Sequence, residues 1–116
     1  MTTVLVVDDD EDLLRMFARA LRRHGFEVTT ASHGRAALEA VGSTVPDLIV
    51  SDVSMPELDG PSLLRELRAR GIGVPVVFLT GYASHSDDNL MTLGASAVLG
   101  KPLSIETLVT SLKGLS

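Results

Sequence analysis

Cysteine is absent from the 116-residue sequence, and aromatic side chains are scarce. Without cysteine the chain has no disulfide framework, no thiolate nucleophile and no cysteine metal site. It has no tryptophan, one tyrosine and three phenylalanines, whereas 45% of its residues are hydrophobic. A buried core must therefore be built from valine, leucine, isoleucine and alanine, which suits a layered α/β protein.

Long apolar runs and clustered basic residues are also missing. No window approaches the ~20 apolar residues that span a bilayer, and the apolar start of the chain is too short for a signal peptide. The net charge is -5, and the basic residues are scattered instead of forming the stripe that neutralises a nucleic-acid backbone. We expect a cytoplasmic protein with no membrane contact and no direct nucleic-acid binding. No linker interrupts the chain, which predicts one domain over residues 1–116.

Short apolar runs alternate with longer amphipathic stretches along the whole chain. Five such runs, rich in β-branched residues, predict strands at residues 4–7, 27–31, 48–50, 75–79 and 97–99. Their apolar character is typical of strands buried on both faces. Right-handed crossovers then place helices on both sides of a parallel sheet. We therefore predict an α/β fold with a doubly wound five-stranded parallel sheet, in the order 2-1-3-4-5.

Periodic apolar residues between these runs predict the helices. Leu13, Phe17 and Leu21 recur every four residues, which indicates a first helix with one apolar face. Residues 105, 108, 109 and 112 follow the amphipathic template of a last helix. Weaker patterns predict further helices at about residues 35–41, 61–70 and 86–93.

Capping and turn residues agree with these helices. Glycines follow the helical runs at positions 25, 42, 71 and 94, where they can end a helix. Ser104 can cap the last helix, and Pro61 suits a first helical turn, so that a helix should start there at once. Asp59 precedes Gly60, and we interpret this frequent pair as a turn and not as part of a site.

Polar side chains follow the strands that should surround one crevice of the sheet. In an open parallel sheet, ligands collect at the carboxyl ends of the strands near the switch point, here between strands 1 and 3. Strand 1 is followed by Asp8 and Asp9, and strand 3 by Asp52. Strand 4 is followed by Thr80 and strand 5, after one more residue, by Lys101. The remote second strand offers nothing charged.

The residue types in this crevice point to phosphoryl transfer assisted by a metal ion. Three carboxylates so close together would repel one another without a cation, and hard oxygen ligands suit Mg²⁺. One Mg²⁺ together with Lys101 would balance the charges of Asp8, Asp9 and Asp52. Phosphoryl transfer depends on positioning and on cations at the transferring oxygens, and a carboxylate can be the covalent nucleophile. Thr80 can donate its hydroxyl to a phosphoryl oxygen.

Four motifs resemble the signature of response-regulator receiver domains, and together they extend over essentially the whole chain. They are Val-Leu-Val-Val-Asp-Asp-Asp-Glu from residue 4, Asp-Val-Ser-Met-Pro-Glu-Leu-Asp-Gly from residue 52, Leu-Thr-Gly-Tyr from residue 79 and Gly-Lys-Pro from residue 100. The resemblance implies that Asp52 is the phosphoacceptor. It also implies that Asp9, Asp52 and the Ser54 backbone carbonyl ligate Mg²⁺, with Asp8 acting through water. Thr80 and Lys101 would contact the phosphoryl oxygens.

The resemblance also implies partners. It implies a flavodoxin-like receiver fold, a cis bond before Pro102, and a signalling role that is not enzymatic. The phosphoryl donor would be a sensor histidine kinase or a phosphotransfer protein. The output protein or output domain would bind the helix before the fifth strand, that strand and the last helix.

Val98 departs from the family pattern, because Tyr or Phe usually stands there. Without a ring to swing, we hypothesise that the signal is relayed by packing or by the preceding helix.

Other functions compete with this interpretation. An aspartyl-phosphate hydrolase needs a second Asp at the position of Ser54, and a flavin phosphate would be repelled by the acidic residues 8–12. A docking module that keeps the fold but works without phosphorylation is the more serious alternative, favoured by Val98 and opposed by the complete set of site residues.

Tyr82 either shields a phosphoryl group from water or is a half-exposed loop residue. The histidines, at positions 24, 33 and 85, are interpreted as surface residues.

Overall fold

A computed structural model describes residues 1–53, 55, 58–81, 91–100 and 104–115. Its five strands form one parallel sheet in the order β2-β1-β3-β4-β5. The strands are β1 (Thr3–Val7), β2 (Glu27–Ala31), β3 (Leu48–Asp52), β4 (Val76–Thr80) and β5 (Ala97–Gly100). The helices of the described ranges are α1 (Glu11–Arg23), α2 (Gly34–Ser43), α3 (Gly60–Ala69) and, for the last one, α4 (Ile105–Leu115). The predicted doubly wound fold and its strand order are confirmed.

The central strand β1 has both faces buried. It pairs in parallel with β2 on one edge and with β3 on the other. Successive side chains of a strand point to opposite faces. Val4 and Val6 accordingly pack in a cluster with α1 and α4, whereas Leu5 and Val7 pack in a second cluster with α2 and α3. This double burial explains why β1 appears in the sequence as a continuous apolar run, whereas the edge strand β2 is mostly exposed and more polar.

Side chains cap the first and the last of these helices. Asp10 precedes α1 and accepts hydrogen bonds from the backbone N–H groups of Asp12 and Leu13, at 3.0 and 3.2 Å. Ser104 precedes α4 and accepts one from the N–H of Thr107 at 3.1 Å, as predicted. Such caps satisfy backbone donors that have no partner within the helix, and each stabilises a protein by about 1 kcal/mol.

The start of α3 corrects one prediction. Asp59 accepts a hydrogen bond from the N–H of Ser62 at 2.9 Å and is the N-cap of α3, so its role is not that of a turn partner of Gly60. Pro61 lies in the first turn of α3, as predicted, where the N–H that proline lacks would have had no partner in the helix. The helix therefore starts immediately after the loop that follows β3.

The glycines predicted to end helices fall into two groups. Gly25, Gly71 and Gly94 have φ of 92°, 78° and 107°, a left-handed conformation that favours glycine, and the first two directly follow the ends of α1 and α3. Gly42 instead lies inside α2, so the prediction that it ends this helix was wrong.

Of the helix predicted at residues 86–93, only Met91 and Thr92 are described as helical, and residues 86–90 lie outside the described ranges. Within those ranges, no helix is long and apolar enough to cross a membrane.

Candidate functional site

The carboxyl ends of β1 and β3 bring three predicted site residues together. Asp8 directly follows β1, Asp9 comes next, and Asp52 is the last residue of β3. One carboxylate oxygen from each of the three lies within 4.8 Å of those of the others. We call Asp8, Asp9 and Asp52 the carboxylate cluster. The sequence-based expectation that the ends of adjacent strands would gather these groups agrees with this geometry.

The three members of the carboxylate cluster differ in exposure. Asp8 is 2% exposed, Asp52 is half-buried and Asp9 is exposed. The Asp8 side chain accepts a hydrogen bond from the N–H of Asp10 at 2.9 Å, and the Asp8 N–H donates to the carbonyl of Ala31 at 3.2 Å. Asp8 is thus fixed at the floor of the cluster by two strands and the start of α1, while Asp9 faces solvent.

The donor set fits a hard divalent cation. Oxygens on opposite sides of a Mg²⁺ ion lie about 4.2 Å apart, and Mg²⁺ usually keeps several of its waters. A spacing of up to 4.8 Å suits an ion that contacts some of these carboxylates directly and another through water. Like charges this close are otherwise unfavourable, and the low exposure of Asp8 increases the repulsion. The cluster can therefore hold a metal ion, and Mg²⁺ matches its all-oxygen chemistry.

Gly60 lets α3 begin against the backbone of Asp52. A β-carbon built on Gly60 would lie 2.7 Å from the Asp52 carbonyl oxygen and 2.6 Å from Cε1 of Phe78. The N–H of Gly60 also donates to the carbonyl of Val53 at 2.9 Å. A side chain at this position would have to displace the end of β3. The Asp-Gly pair was interpreted only as a turn, and its spacing carried no signal of this close approach.

The other predicted site residues are only partly described. Thr80 ends β4, is half-buried, and stands in register with Gly100 of β5. Since Leu79 is in register with Asp52, Thr80 lies one residue beyond the phosphoacceptor candidate at the same edge of the sheet. Lys101 follows Gly100 in the chain but lies outside the described residues, as do Ser54, Tyr82 and Pro102.

Val98 occupies the middle of β5. It stands in register with Phe78 of β4, is half-buried, and packs against the cluster that contains α2 and α3. A half-buried valine offers no ring that could move between an inward and an outward rotamer. The structure therefore places a small aliphatic side chain where the resemblance implies an aromatic one.

Acidic residues after the cluster serve α1. Asp10 is the N-cap, and Glu11 and Asp12 lie in the first turn, where the helix dipole favours negative charge. This matches the interpretation that they are not site ligands.

Among the histidines, His33 is more than a surface residue, because its Nδ1 accepts a hydrogen bond from the N–H of Ala36 at 3.1 Å as the N-cap of α2. Histidine is an uncommon cap, so its residue type does not predict this role.

The fold and the carboxylate cluster together define a class of signalling domain. The chain belongs to the response regulator receiver domain family, whose family profile matches residues 4–113. Receiver domains of this family are signalling domains of two-component systems, in which response regulators act with histidine kinases. The identification made from the four sequence motifs is confirmed.

Three relatives show the contexts in which similar sequences occur. The chain is 46% identical over 114 residues to the transcriptional regulatory protein PrrA of Mycobacterium leprae, covering 97% of this chain and 48% of that one. It is 45% identical over 118 residues to the sensor kinase CckA of Brucella abortus, covering 96% and 12%. The structure of the chemotaxis response regulator CheY4 of Vibrio cholerae superposes with a TM-score of 0.92 at 33% identity, covering 100% and 99%. The chain thus spans about half the length of PrrA.

Proposed function

We propose that the domain is a phosphorylation-activated switch in which Asp52 accepts a phosphoryl group from a sensor histidine kinase or a phosphotransfer protein. The observation that carries this proposal is the carboxylate cluster, in which oxygens of Asp8, Asp9 and Asp52 lie within 4.8 Å of one another at the carboxyl end of the sheet. Family membership supports it, because the cluster coincides with the motifs that identify the family. The proposed cofactor is Mg²⁺.

Each site residue has a role in the proposed transfer. Asp9, Asp52 and the Ser54 carbonyl would hold the ion, and Asp8 would act on it through water. When bound, Mg²⁺ supplies positive charge that offsets the charge on the transferring oxygens. A carboxylate oxygen of Asp52 attacks phosphorus, so that a P–O bond forms as the P–N bond of the donor phosphohistidine breaks. The electron pair leaves with the imidazole nitrogen, which takes up a proton.

Thr80 and Lys101 complete the proposed site at the ends of β4 and β5. The Thr80 hydroxyl donates to one phosphoryl oxygen, and the Lys101 ammonium group pairs with another. The half-buried position of Thr80 at the same edge as Asp52 supports this assignment. Asp52 is half-buried as well, so a donor can reach it from the crevice while the rest of β3 stays packed.

The test is phosphorylation by acetyl phosphate in the presence of Mg²⁺, followed by intact mass measurement. The wild-type domain is expected to gain the mass of one phosphoryl group, and Asp52→Asn is expected to gain none. Asp59→Asn is the matched control, because Asp59 caps α3 outside the carboxylate cluster and asparagine caps a helix equally well. Equal mass gain in all three proteins would reject Asp52 as the acceptor.

A second candidate function is a docking module that works without phosphorylation, and Val98 is the observation that favours it. The same experiment separates the two functions. A docking module need not bind Mg²⁺, whereas a switch must bind it and respond to acetyl phosphate. If Mg²⁺ moves no amide resonance near Asp52 and no protein gains mass, the docking function is the one to pursue.

The proposed partners follow from the family and from the printed descriptions of relatives. PrrA is a transcriptional regulatory protein about twice as long as the aligned region, which supports an output domain or output protein for this receiver. Direct nucleic-acid contact by the receiver itself is not proposed, because its net charge is -5. We further propose a cytoplasmic location, where kinases of two-component systems deliver phosphoryl groups. A domain that spans residues 1–116 stays a prediction.

A further inference from the structure

The loop between β3 and α3, residues 53–59, connects the phosphoacceptor candidate to the sheet and to α3. We call it the acceptor loop. It begins at Val53, whose N–H donates to the carbonyl of Leu79 at 3.2 Å and whose own carbonyl accepts from the N–H of Gly60 at 2.9 Å. Its two ends are therefore held together beside Asp52. Of its residues, the structure describes 53, 55, 58 and 59. Gly60, which follows the loop, lies against the Asp52 carbonyl, so the position of this end of the loop bears on Asp52.

A third contact holds the far end of the acceptor loop, and it comes from α2. A β-carbon built on Gly34, the first residue of α2, would lie 2.1 Å from the carbonyl oxygen of Leu58 and 2.7 Å from its Cβ. It would also lie 2.9 Å from the Leu58 carbonyl carbon. Two of these three atoms are backbone atoms, so no side-chain rotamer can relieve the overlap. The bare α-carbon of Gly34 is what allows α2 to touch the loop.

Leu58 is less firmly packed than the helix that it contacts. The helix α2 is anchored, because Ala37 and Val41 are 0% and 2% exposed in the core and His33 caps its first turn. Leu58 is only half-buried. Moving the nearest contact from 2.1 Å to the 3.0 Å that real β-carbons require takes a shift of about 1 Å. Most of that shift would fall on Leu58.

We propose that Gly34 is a positioning residue for the metal site, acting through Leu58 and Gly60 on the backbone of Asp52 although it lies outside the carboxylate cluster. This inference rests on the proposed function, because it assumes that the carboxylate cluster holds Mg²⁺. Groups that orient metal ligands typically affect metal affinity by 10–100-fold. A side chain at position 34 therefore weakens Mg²⁺ binding without removing any ligand.

The test compares Gly34→Ala with Gly42→Ala in the full chain. Both glycines lie in α2, but a β-carbon on Gly42 would meet no atom of the described residues within 4 Å. Mg²⁺ affinity is measured by calorimetric titration, and thermal unfolding is measured separately in EDTA. We expect Gly34→Ala to bind Mg²⁺ about tenfold or more weakly, and Gly42→Ala to match the wild type. A purely structural role would lower the unfolding temperature in EDTA and leave the Mg²⁺ affinity of the folded protein unchanged.

A second variant keeps the inference testable if Gly34→Ala fails to fold. Leu58→Gly removes the Cβ that lies beside Gly34 and frees the peptide groups of Leu58, so this end of the loop loses its fixed position and Mg²⁺ affinity again falls. Unchanged affinity in Leu58→Gly would overturn the inference. Where Gly34→Ala does fold, the double variant adds a check, because the freed peptide groups can yield to the alanine and the two losses are then smaller together than their sum. Strictly additive losses would also overturn the inference.

The outcomes also separate this inference from the proposed function. If the wild type and Gly42→Ala bind Mg²⁺ and Gly34→Ala binds it equally well, the proposed function stands and the role of Gly34 is rejected. If the wild type binds no Mg²⁺, the metal site itself is rejected, and the role of Gly34 falls with it. Wild-type binding that weakens selectively in Gly34→Ala supports both.

Discussion

Acidic side chains lie at both ends of the paired strands β1 and β3, with opposite consequences. At the amino end, Asp47 precedes β3 and meets Thr3, the first residue of β1. The Asp47 carboxylate accepts hydrogen bonds from the Thr3 N–H at 2.8 Å and from the Thr3 hydroxyl at 3.1 Å. The N–H of Asp47 in turn donates to the Thr3 hydroxyl oxygen at 2.9 Å. We call this arrangement the Thr3–Asp47 pair.

The carboxyl ends of the same two strands instead gather three carboxylates into one space. In the Thr3–Asp47 pair, two donors of Thr3 bind one oxygen of an exposed carboxylate. In the carboxylate cluster, acceptors of the same charge face one another, which favours a cation from solution. An acidic residue at a strand end therefore stabilises the fold when it accepts hydrogen bonds from the protein. When other carboxylates lie beside it instead, the group of carboxylates is suited to binding a cation.

The largest expected effect concerns the response of the two ends to Mg²⁺. A ligand present at 100 times its Kd stabilises the folded state by about 2.7 kcal/mol. We expect saturating Mg²⁺ to raise the Tm of the wild type accordingly, and Asp8→Asn to lose most of this gain. Asp47→Asn should retain the full Mg²⁺-dependent rise. A rise of equal size in Asp8→Asn and the wild type would place the ion elsewhere.

The next effect concerns how tightly the carboxyl end is packed. Gly60→Ala introduces a β-carbon within 3 Å of the Asp52 carbonyl and the Phe78 ring. Overpacking of this kind costs about 1–3 kcal/mol, so the urea midpoint should fall. Gly42→Ala is the control, since it adds a better helix former to open space. If both variants unfold at the wild-type midpoint, the close approach of α3 to β3 is looser than the structure indicates.

A smaller effect concerns the Thr3–Asp47 pair. Asp47→Ala removes the acceptor for the Thr3 N–H and hydroxyl, and a modest fall in Tm is expected because the pair is open to solvent. Phosphorylation by acetyl phosphate should proceed at the wild-type rate, because the variant leaves the carboxyl end intact. A variant that is stable yet slow to phosphorylate would show that the two ends of β1 and β3 are coupled.

The smallest effect is a pH dependence. The backbone N–H of Thr3, followed by its hydroxyl, lowers the pKa of Asp47 below its ordinary value of 3.8. Because the folded-state pKa is the lower one, ionised Asp47 stabilises the fold above pH 3.8, and this contribution is lost as the pH falls through the lowered pKa. Urea unfolding near neutral pH and at about pH 3 should show a larger acid loss in the wild type than in Asp47→Asn. Equal losses would contradict the pairing.

Much of the fold could be predicted because it depends on regular patterns. Continuous apolar runs identified the strands, and the parallel arrangement placed Asp8, Asp9 and Asp52 at one edge before any distance was known. The Thr3–Asp47 pair was not predicted, because nothing in the sequence distinguishes Asp47 from any other exposed aspartate.

Contacts that depend on how closely elements approach were also missed. Gly34 and Leu58 lie far apart in the sequence, and only the packing of α2 against the acceptor loop brings them together. His33 was interpreted as a surface residue because its ring nitrogen acts as a cap only in one backbone conformation. Gly42 was assigned to a helix end because glycine has no signal that separates a helix interior from its terminus.

The central position of β1 has a consequence for the order of folding. This strand is synthesised first, yet it pairs with residues that lie far along the chain, as Val4 does with Leu48. During translation, β2 is the first partner to emerge, and the other edge of β1 must wait for β3. Contacts between residues so distant in sequence slow folding. The nascent chain therefore exposes one edge of this apolar strand until β3 has been synthesised.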